Sequence, residues 1–304
     1  MLRFLYALNF SFVRKKKSGN NNLWKLKYLF LRKVANIFVI FYYKLPYNKK
    51  GINKADNGDR KYIVSLTSYP GRINVVWIAI ESLLRQSFKP DMIILWLAKE
   101  QFNGLDDIPK EVIKQQKRGL TIRFCDDLRS HKKYYYAFKE FSEEVIITVD
   151  DDVIYPSNTL EVLVDLHKKY PNCICSNRAH VITKDKDNQI EPYKEWVNNP
   201  TGFQGPSKML CPTGVSGVLY PPNSVDREIF NKVSIKSLCF YADDLWLKIM
   251  SFKKGTSVVK SASFSDDLFT IETSQKESLG SINVMGNRND EQLQAILKRY
   301  DMSM

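Results

Sequence analysis

Four short runs rich in Val, Ile and Leu read as strands, at residues 62–66, 92–97, 120–124, where Thr121 and Arg123 alternate with apolar residues, and 145–149, which is apolar on nearly every position. That pattern fits strands buried on both faces, as in a parallel sheet. The segments between them carry helical signals. Asn74 precedes the stripe Val76, Trp77, Ile80, Leu83 and Leu84, which predicts a capped helix to about Gln86. Pro109 opens a second helix that ends near Arg118-Gly119, and residues 132–141 form a third. Strand and helix alternating at this spacing build βαβ units, so the expected fold is α/β, with a mainly parallel sheet flanked by helices. Further on, Pro156 and Asn158 start a helix to about Tyr170, and residues 173–176 and 181–183 read as strands around Asn177-Arg178-Ala179-His180. Residues 184–217 are rich in Gly and Pro and read as loop, and residues 217–220 form an apolar run before Pro221-Pro222. A helix begins at residues 241–246 and stops at Lys254-Gly255, residues 258–259 form a short strand, and Asn289 is placed to cap a last helix to about Tyr300.

Charge divides the chain. The net charge is +13, yet residues 1–50 hold 12 Lys or Arg and no Asp or Glu, while the remainder holds 34 basic and 33 acidic residues. A body that is nearly neutral lacks the basic face expected of a nucleic-acid binder. Residues 1–47 combine the basic run 14–17 with Trp24, Tyr28, Phe30, Phe38, Phe41, Tyr42 and Tyr43. Their longest uncharged stretch, residues 34–43, is about half of the roughly 20 residues that span a bilayer, and no small-residue cleavage site follows. Two readings remain: a basic, aromatic-rich helix lying on an anionic membrane surface, or a helical appendage packed on the body. Residues 48–60 read as a linker, and residues 61–304 as the folded body. The five cysteines form no CxxC pair, and Cys173 and Cys175 read as small buried apolar residues, so reduced thiols in the cytoplasm are expected.

The fourth strand ends in Asp150-Asp151-Asp152, at the sheet edge where open α/β folds bind ligands. A solvated acidic turn is one reading. The other is a grip for Mg²⁺ or Mn²⁺, with Asp150 and Asp152 on one side of extended chain and Asp151 turned toward the fold. No GxGxxG follows the first strand and no GxxxxGK[ST] occurs, which removes the usual dinucleotide and P-loop chemistries.

Taken together, residues 64–73 (VSLTSYPGRI), Leu84-Arg85-Gln86-Ser87 with Pro90-Asp91, residues 147–156 (ITVDDDVIYP), Pro212-Thr213-Gly214 with residues 217–222 (GVLYPP), and Asp243-Asp244-Leu245-Trp246 resemble the GT-A nucleotide-sugar glycosyltransferases, family 2-like, of bacterial capsular and surface polysaccharide synthesis. The resemblance spans about residues 60–250 and implies that residues 61–304 are a GT-A domain, with a nucleotide-sugar-binding half over 61–155 and an acceptor half over 156–304. It implies a hexosyltransferase that moves a sugar from a nucleoside diphosphate donor to a glycan or glycolipid acceptor, with inversion, peripherally at the cytoplasmic face of the cell membrane. It places Asp150 and Asp152 as the DxD element that holds Mn²⁺ or Mg²⁺, and Thr67, Tyr69, Arg72, Asp126, Lys132, Lys133, Asp150 and Asp151 on the donor side. Asp244, with Asp243 beside it, takes the role of catalytic base, and His180, Gly214 and Trp246 border the acceptor. Arg178 is placed to border donor or acceptor, and Trp196 and Phe203 are further candidates for stacking on a sugar ring. Where the commonest family members carry an acidic pair with Gly-Ser after the second strand, this chain has Leu97-Ala98-Lys99-Glu100, so Asp126 or Asp127 is left to contact the base. A sugar-nucleotide nucleotidyltransferase shares the sheet but needs a glycine-rich basic loop, and residues 68–72 offer one glycine. A non-catalytic membrane scaffold would leave two separate acidic clusters without a purpose.

Overall fold

The computed structural model of the chain describes residues 22–53, 60–263, 268–271 and 287–304. The expectations that fall on residues 1–21 and 54–59 lie outside the described residues. The chain opens with helix α1 (Asn22–Lys44) and then alternates β1 (Tyr62–Thr67), α2 (Val76–Leu84), β2 (Met92–Ala98), α3 (Lys110–Gln115), β3 (Leu120–Cys125), α4 (Lys132–Glu140) and β4 (Val145–Thr148). These are the predicted units, and their strands pair in parallel, with Ile63 opposite Met92, Tyr62 opposite Val145 and Ile93 opposite Leu120. All four residues of β4 are buried, as a strand covered on both faces requires. Gly119 closes the helical segment before β3 at φ 119°, a conformation that costs glycine little.

The second half is less regular. It contains β5 (Val153–Ile154), α5 (Thr159–Lys169), β6 (Ile174–Ser176), β7 (Ala179–Val181), β8 (Gln204–Ser207), β9 (Leu210–Pro212), β10 (Val218–Tyr220), α6 (Lys232–Leu238), α7 (Asp243–Lys254), β11 (Val258–Lys260), β12 (Phe269–Thr270) and α8 (Arg288–Arg299). The main sheet has the order β3-β2-β1-β4-β10-β6-β11-β8. Strand β10 runs antiparallel to both β4 and β6, with Val218 opposite Thr148 and Ser176. The start of β10 therefore lies at the edge where β4 ends. Several expectations need correction. The strand expected at 181–183 is β7, shifted toward residue 179 by its pairing with β9. The segment expected as loop holds both β8 and β9, and α6 was not expected. Asn74 does not cap α2, whose N-cap position is Val75, and Asn289 lies inside α8, whose N-cap position is Asn287.

Helix α1 packs on the body through Asn36, Val39 and Tyr43, which are buried, while Phe30, Ile37, Phe38, Phe41 and Leu45 remain exposed. The Arg85 guanidinium stands over the rings of Tyr42, Tyr43 and Tyr47 at 4.9, 5.0 and 4.5 Å and binds Glu81 at 2.7 Å. Glu81 also holds Arg118 at 2.7 Å, which fastens α1, α2 and the end of α3 together. Residues 48–53, expected as linker, are docked: the Gly51 amide donates to the Arg118 carbonyl at 2.9 Å and the Asn53 amide to the Pro90 carbonyl at 2.8 Å. Among the described residues, no helix is long and apolar enough to cross a membrane.

Candidate active site

A cleft of about 630 Å³ opens along the carboxyl edge of β1 and β4 and the N-terminus of α7. It brings together Thr67, Tyr69, Arg72, Lys132, Lys133, Asp150, Asp151 and Asp152 from the first half with Thr213, Asp243 and Asp244 from the second. The backbone turns after Thr148, so the triplet does not alternate as an extended strand would. Asp151 is buried; it accepts from the Ser68 hydroxyl at 2.6 Å and from Arg72 at 2.8 Å. Burial pushes its carboxyl above the usual range, against Arg72 and Ser68, which pull it down. Arg72 reaches Asp152 as well, at 3.1 Å, and these two carboxylates keep the guanidinium firmly charged although burial opposes it. Asp150 is set from below by Tyr155, a fully buried residue whose hydroxyl accepts from the Asp150 amide at 2.8 Å.

Lys133 joins the two acidic clusters. It sits in the first turn of α4, buried, with its ammonium 2.7 Å from Asp150 and 2.8 Å from Asp243. Burial alone would lower its pKa, but Asp150, Asp243 and Asp244 hold it well above its ordinary value. Asp243 is held low against burial by Lys133 and His131. Asp244 behaves in the opposite way. Burial, then the neighbouring Asp243, push its carboxyl up to about 7, with Lys133 opposing. Both Asp244 oxygens accept from the Gly214 amide at 3.1 Å, which aims the carboxylate at the loop that leads into β10.

His131 supports this arrangement from behind. It is fully buried, with Nε2 2.8 Å from the Cys239 carbonyl and Nδ1 2.8 Å from the Tyr134 hydroxyl. The carbonyl can only accept, so Nε2 carries the proton and Nδ1 accepts from Tyr134. The ring thereby fixes the segment that enters α7 and its acidic pair.

Lys132 lines the cleft but is engaged by Asp127. Asp127 rather than Asp126 faces the cleft. Asp126 is exposed and paired with Lys232 at 2.8 Å, which corrects its expected place on the donor side. Trp246 also needs correction: it is fully buried, donates to the Ile229 carbonyl at 3.4 Å, and belongs to the core rather than the acceptor wall. It occupies the α7 face that packs inward, whereas Asp243 and Asp244 occupy the helix's first turn. Trp196 is core as well, and Phe203 stacks on Tyr170 at 5.6 Å. His180 is nearly buried behind Arg178, which does line the cleft. The patterning of the sequence did not single out Ser68, Tyr155, Arg129, Tyr193 or Tyr241, which support or line the cleft through tertiary placement.

Six carboxylates, of Asp127, Asp150, Asp151, Asp152, Asp243 and Asp244, line the cleft with the cations of Arg72, Arg129, Lys132, Lys133 and Arg178, and the available metal donors are hard oxygens. That set suits Mg²⁺ or Mn²⁺, which accept one or two carboxylates together with phosphate oxygens and water. Among the described residues no group of three His, Cys, Asp or Glu side chains forms a complete cage, so the protein can supply only part of a coordination shell.

The parallel β3-β2-β1-β4 half, the antiparallel β10 inserted beside it, and the acidic turn at the end of β4 define a glycosyltransferase of the GT-A fold. The chain belongs to glycosyl transferase family 2, which it matches over residues 69–232, more than half of its length. Among solved structures, it is similar to the mannosyltransferase PcManGT from Pyrobaculum calidifontis in complex with GDP-Man and Mn²⁺, at 10% identity and a TM-score of 0.49, covering 100% of this chain and 76% of that one. No curated protein matches the chain.

Proposed function

We propose that the chain transfers a hexose from a nucleoside diphosphate sugar to a glycan or glycolipid acceptor, with inversion at the anomeric carbon. The observation that carries this reading is Asp244: a buried carboxylate, aimed by the Gly214 amide, with a pKa near 7, in the same cleft as the acidic turn of β4. A base titrating near working pH removes a hydroxyl proton most effectively. In a single displacement the Asp244 carboxylate takes the proton of the acceptor hydroxyl as its oxygen bonds to the anomeric carbon. The bond from that carbon to the donor phosphate breaks, and the electron pair leaves with the nucleoside diphosphate. Asp150 and Asp152 would hold a divalent cation, which supplies Lewis-acid stabilisation to the diphosphate leaving group. Arg72 and Lys133 add fixed positive charge on the same side, and Thr67 and Tyr69 at the end of β1 border the nucleoside.

The exposed residues Phe30, Ile37, Phe38 and Phe41 on α1 and Leu45 just after it, with Lys33 and Lys44 also exposed, support peripheral attachment to an anionic membrane surface, the cytoplasmic face of a cell membrane. A role in capsular or surface polysaccharide assembly follows from that attachment and a lipid-linked acceptor.

Titration of the full chain with sugar nucleotides, with and without Mn²⁺, tests the donor and metal assignments. Asp152→Ala is expected to abolish the metal-dependent part of binding, and unchanged binding in that variant rejects the assignment. For the membrane, Phe38→Ser with Phe41→Ser leaves the buried side of α1 intact and should release the protein from anionic vesicles. Retained vesicle binding rejects the attachment.

A further inference from the structure

We propose that the acceptor carries an oxyanion, either a phosphate or a carboxylate, and that Arg178, with His180 behind it, binds it beside Asp244. This inference rests on the reading of the cleft as a glycosyltransferase site and adds the chemical class of its acceptor.

Arg178 lines the cleft. Its Nη1 donates to the Thr213 hydroxyl at 2.9 Å and its Nη2 to the Asn198 side-chain carbonyl at 3.1 Å, both neutral acceptors. Among the described residues no carboxylate pairs with it, whereas Arg72 and Lys133 in the same cleft each hold two. Although carboxylates line the same cleft, this guanidinium is fixed in place without being neutralised.

The neighbouring His180 sharpens the point. The Asn199 amide donates to its Nδ1 at 3.2 Å, so Nδ1 is the unprotonated nitrogen. Burial, then Arg178, lower the imidazole pKa to about 3, and the ring is neutral at ordinary pH. Its one proton therefore sits on Nε2, which lies 3.4 Å from Nη1 of Arg178. Two N–H donors at that separation cannot satisfy each other. Both can be satisfied by one shared acceptor oxygen, and a charged oxygen gains most from a guanidinium.

The position assigns the anion to the acceptor. Thr213, which holds Arg178, precedes Gly214, whose amide holds Asp244. Lys133 lies at the same meeting point, since a Cβ on Gly214 would stand 2.9 Å from its ammonium, but that ammonium already holds Asp150 and Asp243, whereas Arg178 holds no carboxylate among the described residues. An anion at Arg178 is therefore near the base, and a saturating nucleoside diphosphate distinguishes it from the leaving group. A phosphorylated sugar, a lipid-linked sugar phosphate or a uronate all carry such a group.

The experiment uses the full chain saturated with nucleoside diphosphate and Mg²⁺, titrated with inorganic phosphate, methyl glucuronide and the neutral methyl glucoside. At least one anionic probe is expected to bind at least tenfold more tightly than methyl glucoside. Arg178→Gln should remove that preference and leave nucleoside diphosphate binding intact. Tighter binding of the glucuronide indicates an acidic sugar, and tighter binding of phosphate indicates a phosphorylated acceptor. Wild-type protein that binds the anions no better than methyl glucoside overturns the proposal, as does Arg178→Gln that keeps the preference. Folded Arg178→Gln that loses nucleoside diphosphate binding puts Arg178 on the donor and overturns the proposal; in Arg178→Lys, a loss of threefold or more in anion affinity supports it and an unchanged affinity overturns it. Wild-type protein that fails to bind nucleoside diphosphate at all removes the proposed function instead.

Discussion

Replacing Gly214 by Ala places one methyl group at the meeting point of the site. A Cβ there would lie 2.9 Å from the Lys133 ammonium, 3.2 Å from Asp150 Oδ1 and 3.3 Å from Asp244 Oδ1. Each is closer than ordinary contact, so three charged groups must move by a few tenths of an ångström or more. The backbone itself tolerates the change, because Gly214 is not among the glycines at positive φ. Loss of glycine's freedom in the unfolded chain contributes roughly 0.4–1 kcal/mol toward stability and offsets part of the crowding. Misplacement by about 1 Å near a reacting centre costs on the order of a hundredfold in rate. Gly214→Ala should therefore lower kcat by about 10- to 100-fold, or roughly 1.4–2.7 kcal/mol of barrier, with Tm changed by only a few degrees. Gly202→Ala is the control: its added Cβ meets nothing within 4 Å, but φ is +80°, so it should lose about 1–2 kcal/mol of stability and keep its kcat. Steady-state transfer kinetics and thermal unfolding of both variants decide the matter. Full activity in Gly214→Ala would refute the convergence of Lys133, Asp150 and Asp244 on one point.

Asp244→Asn should keep nucleoside diphosphate binding and lose about 10²–10⁴ in kcat. In the wild type, transfer should rise with pH through about 7, because the carboxyl must be ionised to act as a base, and a flat profile across that range would count against the role. Glu81→Gln removes the carboxylate shared by Arg85 and Arg118. Because both arginines stay partly hydrated, the expected loss in urea unfolding is about 2–3 kcal/mol, below the roughly 3–5 typical of fully buried pairs, and a loss below about 0.5 kcal/mol would show that α1 and α2 are fastened by apolar contacts alone. For His131, burial lowers the folded pKa to about 4 from an ordinary 6.5, so the unfolded chain takes up the proton first as pH falls. Stability is then fully present above about 6.5 and declines toward about 4, by about 2 kcal/mol between pH 7 and pH 5. His131→Gln should lack that part of the decline, and equal acid sensitivity in the two proteins would rule out His131 as its source.

The parallel half of the sheet was legible because β1, β2 and β4 are apolar on nearly every position, and because β3, although Thr121 and Arg123 alternate with its apolar residues, follows the helix stop at Gly119 at the same spacing. Strand β10 was not, since Val218, Leu219 and Tyr220 carry no information about direction; pairing with β4 and β6 sets it. Strand β8 contains Gly205 and Pro206 and is largely exposed, so it has no apolar pattern to read. In the site, the acidic turn and the pair at α7 were visible as unusual local concentrations of charge. Their linkage through Lys133 was not, because 110 positions separate it from Asp243 and only the folded sheet brings them to 2.8 Å. Asp126 and Asp127 are adjacent, and the direction of the loop after β3 decides which one faces the cleft. Trp246 was misplaced because an aromatic one turn from an acidic pair fits a sugar platform or a core equally well, and only the packing of α7 distinguishes them.

Because β10 runs against its neighbours, the chain reaches the reactive edge twice by different routes, once leaving β4 and once entering β10. No crossover helix lies between the Gly214 turn and the strand that anchors it. Residues 182–209 run between β7 and β9, which pair with each other, and touch the main sheet through β8 on β11, while the Gly214 anchor of Asp244 lies outside them. Length changes in that segment should then leave the Asp244 anchor in place.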